Sequence, residues 1–232
     1  MADYIFKRQT SRLIYDGELI SNEQKEILIK DANSEFSKLL IQNQAGEIKP
    51  FLDIFKEAMK IESYNLAAYE ETRNMFRFSK DEIESKRDGL TFEGQGISGI
   101  AKLLAKMFMK NTRESWKKKS NINAALRNFN KGVDSSKGIV YWVTETNSVT
   151  DWINVGRDIT RFLLVLAKHN LYAHPLNQAI QEYKEMDGLG TKLDTLMKIT
   201  KGHKIQMIAR IGKSDKPFLS YRRHVNDIKN VD

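Results

Sequence analysis

The most apolar part of the chain lies between Gly138 and Gln178. GIVYWVTE, from Gly138 to Glu145, is a β-branched and aromatic run that predicts a buried or half-buried strand. Ser148 and Thr150 then offer N-cap oxygens before a helix over 151–169. Its apolar positions Trp152, Val155, Ile159, Phe162, Leu163 and Leu166 recur at steps of three and four. Ile153, Leu164 and Val165 widen that face until the C-terminal half is apolar nearly all round. Such a helix is buried inside a domain or shared between two subunits. Asn170 suits the left-handed position after the helix. Pro175 then predicts the start of a second helix, over 175–186, ended by Asp187-Gly188.

Elsewhere the periodicity is weaker. Ser21-Asn22-Glu23-Gln24 is a capping-box pattern that opens a helix through Ile27, Leu28 and Ala32. Positions 36–69 read as helical, with stripes from Leu39, Leu40, Phe51, Ile54, Phe55, Ala58, Met59 and Ile61 broken near Gly46 and Pro50. From Glu70 to Gly99 aromatic and charged residues alternate, and glycines then accumulate at 89, 94, 96 and 99. This predicts a loop or lid leading into a helix over 100–109. GQGISG has neither the spacing nor the Lys-Ser/Thr ending of a phosphate loop. A short amphipathic helix is predicted over 191–199. HKIQMIARIG, His203 to Gly212, is a second strand, with Ile205, Met207, Ala209 and Ile211 alternating.

Composition narrows the classes. The 232 residues are 41% hydrophobic and 29% charged, enough for one large domain or two small ones. There is no apolar run of membrane-spanning length, and the polar start MADYIFKRQTSR is not a signal peptide, so no membrane partner is expected. Zero cysteines exclude disulfides and thiolate metal sites and fit a cytoplasmic protein. The four histidines lack metal-binding spacing, and no Ser-His-Asp or Cys-His grouping is visible.

A net charge of +8 favours an anionic partner: nucleic acid, a phosphate-bearing cofactor or an acidic surface. Two stretches concentrate it. Lys102 to Lys131 carries one acid, Glu114, and interleaves Trp116 and Phe129, a composition able to bind single-stranded nucleic acid, although no nucleic-acid-binding motif frames it. Tyr4 to Asp16 sets Lys7, Arg8 and Arg12 around Gln9, Thr10 and Ser11, able to clamp a phosphate through charge-assisted bonds. At the other end Arg222 and Arg223 follow a Lys-Pro turn. The two basic ends could converge on one anion.

Arg8-Gln9-Thr10-Ser11-Arg12, followed by Tyr15-Asp16 and a capped helix, resembles the N-terminal flavin-phosphate segment of the nitroreductase family. Asp151 to Gln178 resembles its long central helix and following loop, and Ala209 to Val225 its terminal strand, glycine turn and arginine-bearing tail. The order of these segments is most similar to the second half of the Acg-type branch, whose members fuse two nitroreductase-like halves. The resemblance implies one α+β domain over 1–232, with a central, mostly antiparallel sheet flanked by helices and a lid-like insertion around 70–131. It implies FMN as cofactor, NAD(P)H and a small electron acceptor as partners, and either a homodimer through the long helix or pairing with a second nitroreductase-like half. Arg8, Gln9, Thr10 and Arg12 match positions that grip the FMN phosphate, and Arg222 or Arg223 matches the tail arginine. Pro175, Leu176, Asn177 and Gln178 match the loop whose backbone lies against the flavin ring, with Gln178 where the family has glycine. The family's Pro-Ser-Ser/His-x-Asn-x-Gln-Pro-Trp stretch, which contacts the ring, has no counterpart here. Three readings follow: an FMN-dependent NAD(P)H oxidoreductase with no catalytic side chain of its own, a flavin-binding or flavin-sequestering protein without turnover, and nucleic-acid binding through 102–131.

Overall fold

A computed structural model describes residues 1–229. Its centre is a four-stranded antiparallel sheet of β1 (Lys38–Gln42), β2 (Gly138–Thr144), β3 (Tyr172–Pro175) and β4 (Lys204–Gly212), in the order β1-β2-β4-β3. All of β2 is buried because both sheet faces are covered. On one face Val140, Trp142, Ala209 and Ile211 pack with α1 (Asn22–Ala32) and α8 (Val149–Lys168). On the other Ile139, Tyr141, Val143, Ile205 and Ile208 pack with α2 (Ala45–Tyr64) and α9 (Asp187–Leu196). Period-two alternation along β2 thus feeds two cores at once. α7 (Lys119–Asp134) lies against α2.

The caps expected from sequence are in place. Ser21 Oγ accepts from the Gln24 amide at 3.1 Å while Gln24 Oε1 accepts from the Ser21 amide at 3.0 Å. Ser148, rather than Thr150, caps α8 in the same reciprocal way with Asp151. Asn170 adopts φ 54° beyond the helix end. Phe162 of α8 meets Trp142 edge-on with ring centres 5.3 Å apart, and burying each such side chain contributes about 1.5–3 kcal/mol.

Three expectations are corrected. Residues 38–42 form a strand, because Leu39 and Ile41 face the α1/α8 core while Leu40 faces the α2/α9 core, a period of two hidden in a short run. α2 runs unbroken from Ala45 through Gly46 and Pro50. The proline costs one hydrogen bond, yet buried Ile48, Phe51, Ile54, Phe55 and Ala58 seat the helix. Residues 175–186 are not an α-helix. Pro175 ends β3, an edge strand that tolerates the missing N–H, and two 3₁₀ turns, Gln178–Ile180 and Lys184–Met186, lead into α9, which starts at Asp187 rather than Thr191.

Between α2 and α7 the chain makes an excursion of α3 (Leu66–Met75), α4 (Lys80–Lys86), α5 (Gly99–Phe108) and α6 (Arg113–Lys117). It encloses its own aromatic cluster of Phe76, Phe92 and Trp116, with Tyr69 and Phe78 against it. Burial without a partner for its hydroxyl pushes Tyr69 up to about 12. No helix among the described residues is long and apolar enough to cross a membrane.

Candidate anion-binding site

The N-terminal segment is stitched along the end of the sheet. The Ser11 amide donates to the Ala173 carbonyl at 3.3 Å, and the Asp16 amide to the Lys213 carbonyl at 3.0 Å. Ser11 Oγ and Ser214 Oγ are 2.8 Å apart. These bonds bring the start of the chain beside β3 and the tail that leaves β4. Between them opens a cavity of about 300 Å³. Arg8, Gln9, Thr10, Arg12 and Leu13 line it from the N-terminal segment, Pro175 from β3, and Pro217 to Ser220 with Arg222 from the tail. Glu93, Gly94 and Gly96 line it from the excursion.

The chemistry of this lining is that of an anion cradle. Three arginines line it, and Gln9 and Thr10 add neutral donors. The Arg8 side chain has no hydrogen bond or ion pair among the described residues, and Arg12 has no carboxylate partner there. Arg12 Nη1 donates to the Gly94 carbonyl at 3.1 Å, and burial lowers its pKa from the ordinary arginine value. The one acid in the lining, Glu93, is already paired with Lys102. Gly96 takes φ 76°, and a Cβ there would stand 3.0 Å from the Arg12 carbonyl oxygen, so glycine lets this loop close on Arg12. The set fits a phosphate monoester: donors and cations without a free acid.

Of the residues singled out from sequence, Arg8, Gln9, Thr10, Arg12, Pro175 and Arg222 meet at this cavity. The others lie elsewhere. Leu176 is fully buried in the α2/α9 core. Asn177 uses its side-chain oxygen to accept from the Ile208 amide at 3.0 Å. Gln178 opens a 3₁₀ turn near Glu62, whose pKa burial raises above the ordinary carboxylate value. Arg223 is exposed, outside the cavity lining, and acts electrostatically on Asp88.

Sequence reasoning missed what stands behind the cradle. Arg210 is fully buried in β4 and donates through Nε to His174 Nδ1 at 3.1 Å. Burial and the charges of Arg210 and Arg12 hold His174 well below the usual histidine value, so it is neutral and accepts at Nδ1. The available signal was a charged residue within the apolar run of β4. Among the described residues no group of three or more His, Asp or Glu side chains could hold a metal ion.

No protein-family model matches the sequence, and no curated protein sequence matches it. Solved structures do. The FMN and NADPH-dependent nitroreductase NfnB from Sphigopyxis sp. strain HMH aligns over 100% of this chain and 98% of its own, with TM-score 0.61 and 12% identity. An oxidized iodotyrosine deiodinase bound to FMN and 3-iodo-L-tyrosine aligns over 96% and 94%, with TM-score 0.54 and 15% identity. A nitroreductase-like family protein from Bacillus cereus aligns over 100% and 95%, with TM-score 0.51 and 13% identity. The chain has the nitroreductase-like α+β fold.

Proposed function

We propose that the chain binds FMN in this cradle and acts as a nitroreductase-like oxidoreductase, passing reducing equivalents from NAD(P)H to a small electron acceptor. The supporting observation is the convergence of Arg8 and Arg12 from one end of the chain and Arg222 from the other on a single cavity beside Pro175. In this reading the arginines hold the phosphate by charge-assisted bonds, and Gln9 and Thr10 complete its donors. Phe6, Phe218 and Leu219 bring apolar surface to the cavity. Bound FMN supplies the hydride chemistry, which is why no acid, base or nucleophile of the protein is required.

The functional unit we propose is a homodimer, or a pair with a second nitroreductase-like half as in the Acg-type branch. Val149, Trp152 and Ile153 are exposed on α8, and an open groove of about 760 Å³ runs past Ile153, Gly156, Thr160 and Leu164. A patch of this kind marks an interaction surface. The reading includes a cytoplasmic location and a single domain with the excursion as its lid.

One observation favours a second reading, flavin binding without turnover. The tail and the Glu93–Gly96 loop narrow the cavity to the low end of small-molecule sites, and the ring-contacting stretch of the family is missing. Nucleic-acid binding loses its stacking half, since Trp116 is buried in the excursion and Phe129 packs against the main core. The absorbance spectrum of the purified protein tests the proposal. Flavin absorbance that bleaches with NADPH supports the oxidoreductase, and flavin absorbance that persists supports the second reading. A colourless protein that takes up no added FMN would overturn both.

A further inference from the structure

Arg210 is 0% exposed, yet no carboxylate pairs with it among the described residues. Its donors go to neutral acceptors instead. Nη1 donates to the Gly132 carbonyl at 2.6 Å and to Ser135 Oγ at 3.2 Å, and Nη2 donates to the Leu13 carbonyl at 2.8 Å. With the bond to His174, every nitrogen is engaged. The guanidinium carbon also stands 4.0 Å from the centre of the Tyr15 ring.

Gly132 lies in the last turn of α7, where the carbonyls at the helix end carry the negative end of the helix dipole, roughly half an elementary charge. That helix end and the ring face of Tyr15 offset the buried cation in place of an acid. The arrangement has a direction. Leu13 directly follows Arg12 and Tyr15 lies two residues beyond Leu13, and Ser135 both accepts from Arg210 and takes the Tyr15 amide at 2.9 Å. One buried side chain therefore ties β4, β3 and the end of α7 to the segment that carries the cradle.

We infer that Arg210 is a positioning residue of the anion cradle. It does not line the cavity. By clamping Leu13 and Tyr15 it fixes the backbone from which Arg8 to Arg12 reach the ligand. Its consequence for flavin rests on the proposed function, but the clamp itself can be measured without flavin.

The experiment is limited trypsin digestion of the native full chain, following the Arg12–Leu13 bond by mass spectrometry. Cleavage after Lys168, exposed at the end of α8 and outside the clamp, is the internal reference for cleavage at a site the clamp does not hold. The variants are Arg210→Met, which keeps bulk and loses charge and donors, and Arg210→Lys, which keeps charge and reaches fewer acceptors. Arg210→Met should raise cleavage after Arg12 at least tenfold relative to cleavage after Lys168, with Arg210→Lys between it and the unmodified chain. FMN affinity should fall at least tenfold in Arg210→Met and recover partly in Arg210→Lys. A folded Arg210→Met with an unchanged cleavage ratio overturns the inference. If neither variant folds, Ser135→Ala carries the same test, because it removes one Arg210 bond and the Tyr15 amide's acceptor; an unchanged ratio there also overturns it. Faster nicking in a protein that never binds FMN sustains the clamp and discards the flavin reading.

Discussion

Arg12 donates through Nη1 to the carbonyl of Gly94, 3.1 Å away, so the arginine deepest in the cradle is tied to the loop that closes over it. The contact couples ligand binding to loop position. A phosphate that takes over the Arg12 guanidinium competes with the Gly94 carbonyl or shares the guanidinium with it. The loop cannot withdraw freely either, because Gly96 packs on the Arg12 backbone.

Arg12→Ala should therefore weaken FMN binding far more than riboflavin binding, since only FMN carries the phosphate. Hydrogen bonds to charged groups contribute about 1.5–3 kcal/mol, which corresponds to a loss of roughly 10–150-fold in FMN affinity. Fluorescence titration with the two flavins gives the comparison. Equal losses for both would place Arg12 away from the phosphate.

His174 predicts an acid-sensitive fold. Its folded pKa lies below the ordinary 6.5, held there first by burial and then by Arg210 and Arg12. Above 6.5 both folded and unfolded chains hold it neutral, and it adds no pH dependence. As pH falls below 6.5 the unfolded chain takes up a proton that the folded chain refuses, so stability drops by up to about 1.4 kcal/mol per pH unit until the folded pKa is reached. His174→Gln keeps an acceptor for Arg210 without titrating, and it should flatten this slope in denaturant melts at pH 5 to 7. Parallel slopes in the two proteins would show that His174 is charged or free in the folded state.

The parts of this fold legible in the sequence are those with long, one-signed patterns. β2, β4, α1 and α8 all stand out by periodicity or by their caps. β1 did not, because five residues with Leu39 and Leu40 adjacent satisfy a helical stripe equally well; only the presence of two cores, one per sheet face, decides it. Pro175 misled for a related reason. A proline starts helices and also ends edge strands, and edge position is a property of sheet order, not of local sequence. Half of the candidate site was visible as clusters of like charge at the two ends. Arg210 and His174 were not, since their pairing is a cross-strand register, His174 opposite Arg210, that no spacing announces.

The exposed apolar face of α8 predicts self-association. Ile153 is 63% exposed and lies on the groove beside Gly156, so Ile153→Asp adds charge to that surface without entering either core. Sedimentation velocity at micromolar concentration should show a dimer for the unmodified chain and a monomer for the variant, with the same circular dichroism. An unmodified chain that sediments as a monomer would remove α8 as a subunit interface.

Asp158 anchors the opposite side of the sheet from the cradle's buried arginine, and this makes it a control as well as a prediction. Its buried carboxylate accepts from the Glu35 and Phe36 amides at 3.0 Å each and from Ser37 Oγ at 2.7 Å, stapling the entry to β1 onto α8. Asp158→Ala leaves those donors without their acceptor, at a cost of about 3 kcal/mol, or a fall in Tm of roughly 6–12 °C for a chain of this size. Ser37→Ala removes a single donor and should cost far less. Because no residue of α8 or β1 lines the cradle, Asp158→Ala should leave FMN affinity at low temperature unchanged. A variant that melts normally would mean that water replaces the carboxylate, and one that melts early and also loses FMN would mean that the α8 staple and the cradle are coupled.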